Sequence, residues 1–485
     1  MIIEKMKGRK NTMKKILVAL ILLIALGINC VAFVGCDMSG NSGDVNSVGE
    51  GATYNGEEVE IVFYSTMGKN LVTVLDKYIA KFNELYPNIT ITHTQVGGYD
   101  DVRDKISTEL TVGNQPNIAY CYPDHVALYN LAGAVVTLDD LIASTATVER
   151  ADGTTETLGL SQAQIDDFID AYYDEGRQFG DGKMYTMPLS KSTEVLYYNK
   201  TFFDQHGLKV PTTWDEMEQV CAQILAIDPT CIPLGYDSEA NWFITMCEQL
   251  KSPYTSATGD HFLFDNETNR AFVERFAEWH KKGYVTTQEI YGAYTSGLFT
   301  TLKGTRSYIG IGSSAGATYQ RPAMSEDGTY PFDVGITTIP QADPNNKKVI
   351  SQGPSLCIFE GTEQEIIASW LFVKYLTTTV EFQAEFGMVS GYVPVLESVS
   401  ENPTYKAFIE NADGGDNIAA LSAKVCLEQK DAYYVSPAFN GSSEARDQVG
   451  DLLQYCMVQY KSASDVKAMI KKAFEDAVAE CEYMS

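Results

Sequence analysis

From residue 59 onward the chain alternates between two hydrophobic periods. Val59, Ile61 and Phe63 recur at every second residue, the spacing of a strand with one buried face. Val72, Leu75, Ile79, Phe82 and Leu85 then fall on one face of a helix, and Pro87 stops it. Ile89 and Ile91 open a second strand. Tyr99, Val102, Ile106 and Leu110 mark a second helix, ended at Gly113, and residues 118–121 form a third short apolar run. The order β-α-β-α-β predicts an α/β layer on a mostly parallel sheet. Ligands bind such sheets beyond the carboxyl ends of the strands. The loops at residues 64–68, 97–100 and 122–125 are therefore the first places to look for a site.

The alternation continues. Residues 195–198, 308–311 and 334–336 read as strands. Thr213 with Glu216 three residues later is a capping box, which opens a helix. Residues 366–376 are strongly apolar and helical, and residues 464–481 form a last amphipathic helix. No short-period repeat is evident.

The first 58 residues follow neither period. Lys14 and Lys15 precede an unbroken apolar stretch, residues 16–28, the length of a signal-peptide core. Met13 is a better start than Met1 for such a segment. Gly35 and Cys36 close it, in an arrangement that resembles a bacterial lipobox. Cleavage there makes Cys36 the first mature residue, carrying acyl chains that hold it to a membrane. Residues 37–58 are rich in Ser, Gly, Asn and Asp, the composition of a flexible tether.

Charge and cysteine usage narrow the function. The chain has 485 residues, 36 Lys+Arg against 64 Asp+Glu, and a net charge of −28. Without residues 1–35 the balance is 30 basic against 63 acidic residues, or −33. This argues against a nucleic-acid binder, which normally shows a basic face, and against adsorption of the folded body to anionic lipid. Past Cys36 the eight remaining cysteines show no CxxC pair, so neither a zinc site nor another metal site is indicated. Most of them are expected to be buried free thiols.

Four segments carry a family resemblance: FNELYPNITITH, TVGNQPNIAYCYPD, MPLSKSTEVLYYNKTFFDQHGLKVPTTWDEM and WLFVKYLTTTVEFQAEFGMVSGYVPV. In this order, behind a lipobox, the chain resembles the extracellular solute-binding proteins (family 1) of bacterial ABC importers, in the carbohydrate and glycerol-3-phosphate group. The resemblance covers residues 59–485. It implies a two-lobed, periplasmic-binding-protein-like α/β fold, with ligand in the cleft and crossings between lobes near residues 190–195, 303–307 and 354–358. The expected organisation is signal peptide 1–35, tether 36–58, a first lobe from 59–192 with 304–355, and a second from 193–303 with 356–485.

The resemblance also implies a site. Its ligand-binding residues are Tyr99 in a GGY turn, Ser192 in the first hinge strand, Trp242 early in the second lobe, Ser314 in YIGIGSSAG, Gly353 in SQGPSL, Tyr392 in the GYVP turn and Arg446 in SSEARDQVGDLL. The glycerol-phosphate subgroup carries a Glu where this chain has Pro123, so Asp124 is the substitute. Arg446 offers a bidentate fork for phosphate, and the tyrosines offer stacking faces with polar tips. The bland alternative for Arg446 is a pair with Glu444 or Asp447. The implied protein is a lipid-anchored monomer on the extracellular face of the membrane. Its partners are a sugar, oligosaccharide or glycerol phosphate derivative and the transmembrane subunits of a permease. It uses no cofactor and catalyses nothing.

Two motifs point elsewhere. Residues 312–316 match GxSxG, the nucleophile elbow of hydrolases, but all five histidines precede Ser314, against the chain order of that fold. Residues 310–315 match GxGxxA, a dinucleotide fingerprint, but lie deep in the chain rather than opening a βαβ unit. An extracellular glycoside hydrolase needs two carboxylates about 5–9.5 Å apart across a cleft, and no acid pair stands out by sequence. A surface adhesin would show β-rich repeats.

Overall fold

The computed structural model describes residues 45–484. The signal peptide and Cys36 lie outside the described residues. Two sheets organise the rest. The first holds β1 (Val59–Ser65), β2 (Ile89–Gln95), β3 (Ile118–Cys121), β4 (Met187–Pro188) and β11 (Ser355–Ile358), in the order β2-β1-β3-β11-β4. The second holds β5 (Ser192–Asn199), β6 (Leu234–Tyr236), β7 (Val285–Thr287), β8 (Ile309–Ser313), β9 (Val334–Thr338), β10 (Val349–Gln352) and β12 (Tyr433–Tyr434). Its order is β12-β10-β5-β8-β6-β7, with β9 also on β5.

The βαβαβ opening forms as its periodicity requires. Helix α1 (Lys69–Leu85) buries Val74, Leu75, Tyr78 and Phe82, while Val72, Ile79 and Leu85 pack at the edge of that face. Helix α2 (Tyr99–Leu110) buries Val102 and Ile106. Helix α3 (Pro123–Tyr129) follows β3 directly, with Pro123 at its first position, where the missing N–H costs nothing. In the second lobe, Thr213 caps α4 (Trp214–Ile227) and Glu216 completes the box. Helices α5 (Glu239–Gln249) and α6 (Glu267–Lys281) follow. Helices α7 (Glu363–Thr378) and α8 (Val380–Ser390) pack back on β1 and α1 of the first lobe. Helices α9 (Ile418–Glu428), α10 (Ser442–Gln459) and α11 (Val466–Met484) belong to the second.

Both sheets are mixed rather than mostly parallel. β1, β2 and β3 run parallel, but β11 runs antiparallel to β3 and β4. β6, β7 and β8 run parallel, but β5 is antiparallel to β8, β9 and β10. The reason is the crossover: a strand that leaves one lobe enters the other from its far end.

The crossings also correct the expected lobe boundaries. The first lies between β4 and β5, as expected. Nothing crosses at 303–307, because β8, β9 and β10 all belong to the second sheet. The second crossing lies between β10 and β11, and the third follows α8. Segment 304–352 is therefore in the second lobe, and 355–390 in the first. Gly353 sits where the first two crossings touch. Its φ is +106°, and a Cβ there would stand 2.7 Å from the Ser190 carbonyl oxygen, so glycine is required.

The tether also departs from expectation. Val45 exchanges backbone hydrogen bonds with Gly361, at 2.8 and 3.1 Å. The Thr53 hydroxyl donates to the Thr147 carbonyl at 2.7 Å, and Gln364 Nε2 donates to the Thr53 carbonyl at 3.1 Å. Residues 45–58 thus lie along the first lobe, because backbone and side-chain groups far off in the sequence supply the partners that their own sequence lacks. Among the described residues no helix is long and apolar enough to cross a membrane. The eight described cysteines are free and buried.

Candidate ligand-binding cleft

The loops beyond the strand carboxyl ends converge on one cavity of about 1150 Å³. The first lobe contributes Tyr99, after β2, and Tyr122, after β3. The second contributes Asp237 after β6, Gln288 after β7, and Ser313 at the end of β8. Tyr294, Tyr319 and Arg446 complete that wall, and Gln352 stands at the second crossing. Two of the three loops singled out by pattern, 97–100 and 122–125, line this region; the loop at 64–68 does not. A smaller chamber of about 70 Å³ adjoins the cavity, lined by Asp124, Glu175 and Tyr254. Tyr122, Gln352 and Arg446 line both.

The first-lobe wall is a stack of rings. Tyr99 lies over Tyr122 with centroids 4.1 Å apart and 17° between planes, and over Tyr120 at 5.6 Å and 16°. Burial pushes all three phenols above their ordinary range, so each stays a neutral hydrogen-bonding group. The second-lobe wall is looser. Tyr294 and Tyr319 are 67% and 75% exposed, leaving both rings free to stack on a ligand.

Arg446 lies in the first turns of α10. Its guanidinium donates to Asn241 Oδ1, which also accepts from Gln352 Nε2 at 2.8 Å. A neutral amide thus orients it, rather than Glu444, which accepts instead from Gln448 at 2.7 Å. Asp447 beside it is pushed up to about 6, by burial first, with Asp100 and Glu444 adding to the shift and Arg103 and Arg446 opposing it. Asp237 accepts from the Thr295 N–H at 2.8 Å through Oδ1, and burial raises its pKa. Within the second lobe, Glu194 on β5 is fully buried and accepts from the Tyr236 hydroxyl at 2.5 Å. Burial pushes it up to about 8.

Of the residues singled out by resemblance, Tyr99, Asp124 and Arg446 line these cavities. The other five do not. Trp242 is wholly buried, stacked on Tyr236 at 4.5 Å and against Phe276 at 4.1 Å. It turns into the lobe core, while Ser238 and Asn241 of the same helical turn face the cavity. Ser314 is also buried: its Oγ accepts from the Thr193 N–H at 3.2 Å, and its neighbour Ser313 lines the cavity. Ser192 is buried and paired with Gln352, which lines it instead. Gly353 turns its carbonyl to Lys191 Nζ at 3.2 Å. Tyr392 lies beside Tyr99 and Tyr120 rather than on the lining. Tyr122, Asp237, Tyr294, Tyr319 and Gln352 were not singled out by sequence. The strand-end rule reaches Tyr122, and Gln352 ends β10 beside Gly353 in SQGPSL; Asp237, Tyr294 and Tyr319 belong to no motif.

The chain and its fold have known counterparts. Residues 77–412 match the family of bacterial extracellular solute-binding proteins. The sn-glycerol-3-phosphate-binding periplasmic protein UgpB of Escherichia coli (strain K12) is 23% identical over 381 residues, covering 73% of this chain and 78% of that protein. Two solved structures share the fold. One is UgpB from Mycobacterium tuberculosis in complex with glycerophosphocholine (TM-score 0.67, 17% identity, 88% of this chain and 98% of that one). The other is the cyclic alpha-maltosyl-1,6-maltose binding protein from Arthrobacter globiformis (TM-score 0.65, 19% identity, 87% and 99%). A two-lobed α/β chain with a cleft at the strand ends, matched to the family over most of its length, belongs to the bacterial extracellular solute-binding proteins.

Proposed function

We propose that this protein captures a small carbohydrate in the interlobe cleft and delivers it to the transmembrane subunits of an ABC importer. It does so as a monomer held on the outer face of the membrane by acyl chains on Cys36. The observation that carries the ligand class is the tyrosine lining. Tyr99 and Tyr122 face the cavity from one lobe, and Tyr294 and Tyr319 from the other. Amphipathic rings on two walls suit the apolar faces and hydroxyl edges of a sugar. Asp100, Asp101 and Asp237 line the same cavity against one arginine, a balance that favours a neutral polyol over an anion. The protein performs no chemistry; the importer's ATPase supplies the work.

Arg446 favours a second reading, a glycerol phosphate derivative, since it lines both chambers and forms no ion pair with a carboxylate among the described residues. The relatives that bind glycerol-3-phosphate and glycerophosphocholine support the same reading. Thermal unfolding with a panel of sugars, glycerol-3-phosphate and glycerophosphocholine separates the two. A specific ligand at about 100 times its Kd stabilises by about 2.7 kcal/mol. Shifts with sugars alone, unaffected by Arg446→Ala, establish the carbohydrate reading. Shifts with the phosphates alone, lost in Arg446→Ala, overturn it. Cys36→Ala should abolish incorporation of labelled fatty acid; equal labelling contradicts the anchor.

A further inference from the structure

A second cavity, of about 470 Å³, lies between the lobes beyond the small chamber. The first lobe supplies Ala127, one turn past Asp124 on α3, and Phe179, which packs edge-on against Tyr185 at 4.9 Å. The second supplies His261 from the folded-back segment 254–263 and Phe439 before α10. These two rings stack at 4.7 Å and 12°. The lobes touch around this cavity. The Ala438 N–H donates to the Gln178 carbonyl at 2.7 Å. Gly180, at φ +83°, lets its turn approach Ala257, whose Cβ would lie 3.0 Å from a Cβ at Gly180.

The polar groups in this chamber are incompletely used. His261 Nδ1 is 2.7 Å from the Ser256 carbonyl, so that nitrogen carries the proton and Nε2 is left as an acceptor. The Asn440 side chain, on the lining, has no partner among the described residues. Aromatic faces flanked by an imidazole acceptor and a free amide match a pyranose, whose ring C–H faces are apolar and whose edge hydroxyls both donate and accept.

We infer that the Phe179/His261/Phe439 chamber is a second sugar subsite, separate from the main cleft, that holds one pyranose unit. It rests on the carbohydrate reading above. The unit has two sources: the far end of an oligosaccharide whose other end lies in the main cleft, or a free monosaccharide. Because both lobes wall the chamber, a sugar in it touches both.

The test is calorimetric titration of the mature chain with glucose, galactose, mannose and xylose, and with the disaccharides and tetrasaccharides built from each. Two variants are compared with wild type: His261→Ala, and Asn440→Trp, which fills the chamber. A chain-end source predicts that tetrasaccharide binds about fivefold or more tighter than disaccharide, and that both variants erase this gain while disaccharide affinity is unchanged. A free-sugar source predicts a monosaccharide site lost in both variants, with disaccharide binding intact. Disaccharide binding with no length dependence and no variant-sensitive monosaccharide site overturns the subsite and leaves the carbohydrate reading standing. Absence of all saccharide binding overturns both.

Discussion

Two cations lie at the boundary between the lobes, and they differ in how they are held. Lys191 is wholly buried. Its ammonium donates to the Glu175 carboxylate, to the Gly353 carbonyl at 3.2 Å and to Ser355 Oγ at 2.9 Å, which uses all three of its donors. Its backbone exchanges hydrogen bonds with Val393 at 3.0 and 2.6 Å. It therefore touches all three chain crossings. Arg446 faces the cavities, anchored by the Asn241 amide, with the rest of its fork open. A fully partnered buried charge holds a junction together; a charge with one neutral partner is available to a solute. The lesson is that proximity to the cleft does not decide function, and the count of free donors does.

The sharpest way to break this contrast is to remove the buried cation. Lys191→Ala leaves the buried Glu175 carboxyl without its cation, and should cost about 3–5 kcal/mol in urea unfolding. A cost under 1 kcal/mol would mean that the pair does not hold the junction. Trp242→Ala tests the second structural assignment. It should destabilise by about 3–5 kcal/mol through the cavity it leaves, with ligand affinity unchanged in the folded fraction. A selective loss of affinity would return Trp242 to the site.

A smaller effect tests the buried acid of the second lobe. Glu194 titrates near 4.5 when unfolded and is pushed up to about 8 when folded. Between these values the folded chain keeps a proton that the unfolded chain has released, so stability falls as pH rises through the window. Melting temperature should therefore decline from pH 5 to 8, and Glu194→Gln should flatten that decline. An unchanged slope would show that Glu194 is ionised throughout. Arg446→Ala should have the smallest effect on stability, under about 1 kcal/mol, because its partner is neutral. A loss as large as that of Lys191→Ala would erase the distinction between the two cations.

Much of the architecture was legible where a local pattern decides it. The βαβαβ opening, the Thr213–Glu216 box and the helices at 363–378 and 466–484 all follow from periodicity or capping. The crossings near residues 190–195 and 354–358 follow from the family resemblance, but the lobe that holds residues 304–352 does not, because a strand's own residues do not state which sheet receives it. Residues 309–313 read as a strand in either lobe, and only pairing with Glu194 to Tyr198 places them. Site residues failed in the same way at single-residue resolution. Ser314 and Ser313, Trp242 and Asn241, and Ser192 and Gln352 are neighbours in sequence or in pairing, and in each case the one named from the motif faces inward. Tyr294 and Tyr319 carried no signal, since tyrosine is abundant here (29 residues) and neither belongs to a motif.

The central claim is that both walls of the cleft grip one solute. It is tested most directly by calorimetric titration of the mature chain with its best saccharide, comparing Tyr122→Ala and Tyr294→Ala, one from each lobe. Each should weaken binding about tenfold, the upper end of a stacking contact, with little change in melting temperature for the exposed Tyr294. Loss of affinity from one wall only, or from neither, would contradict the account.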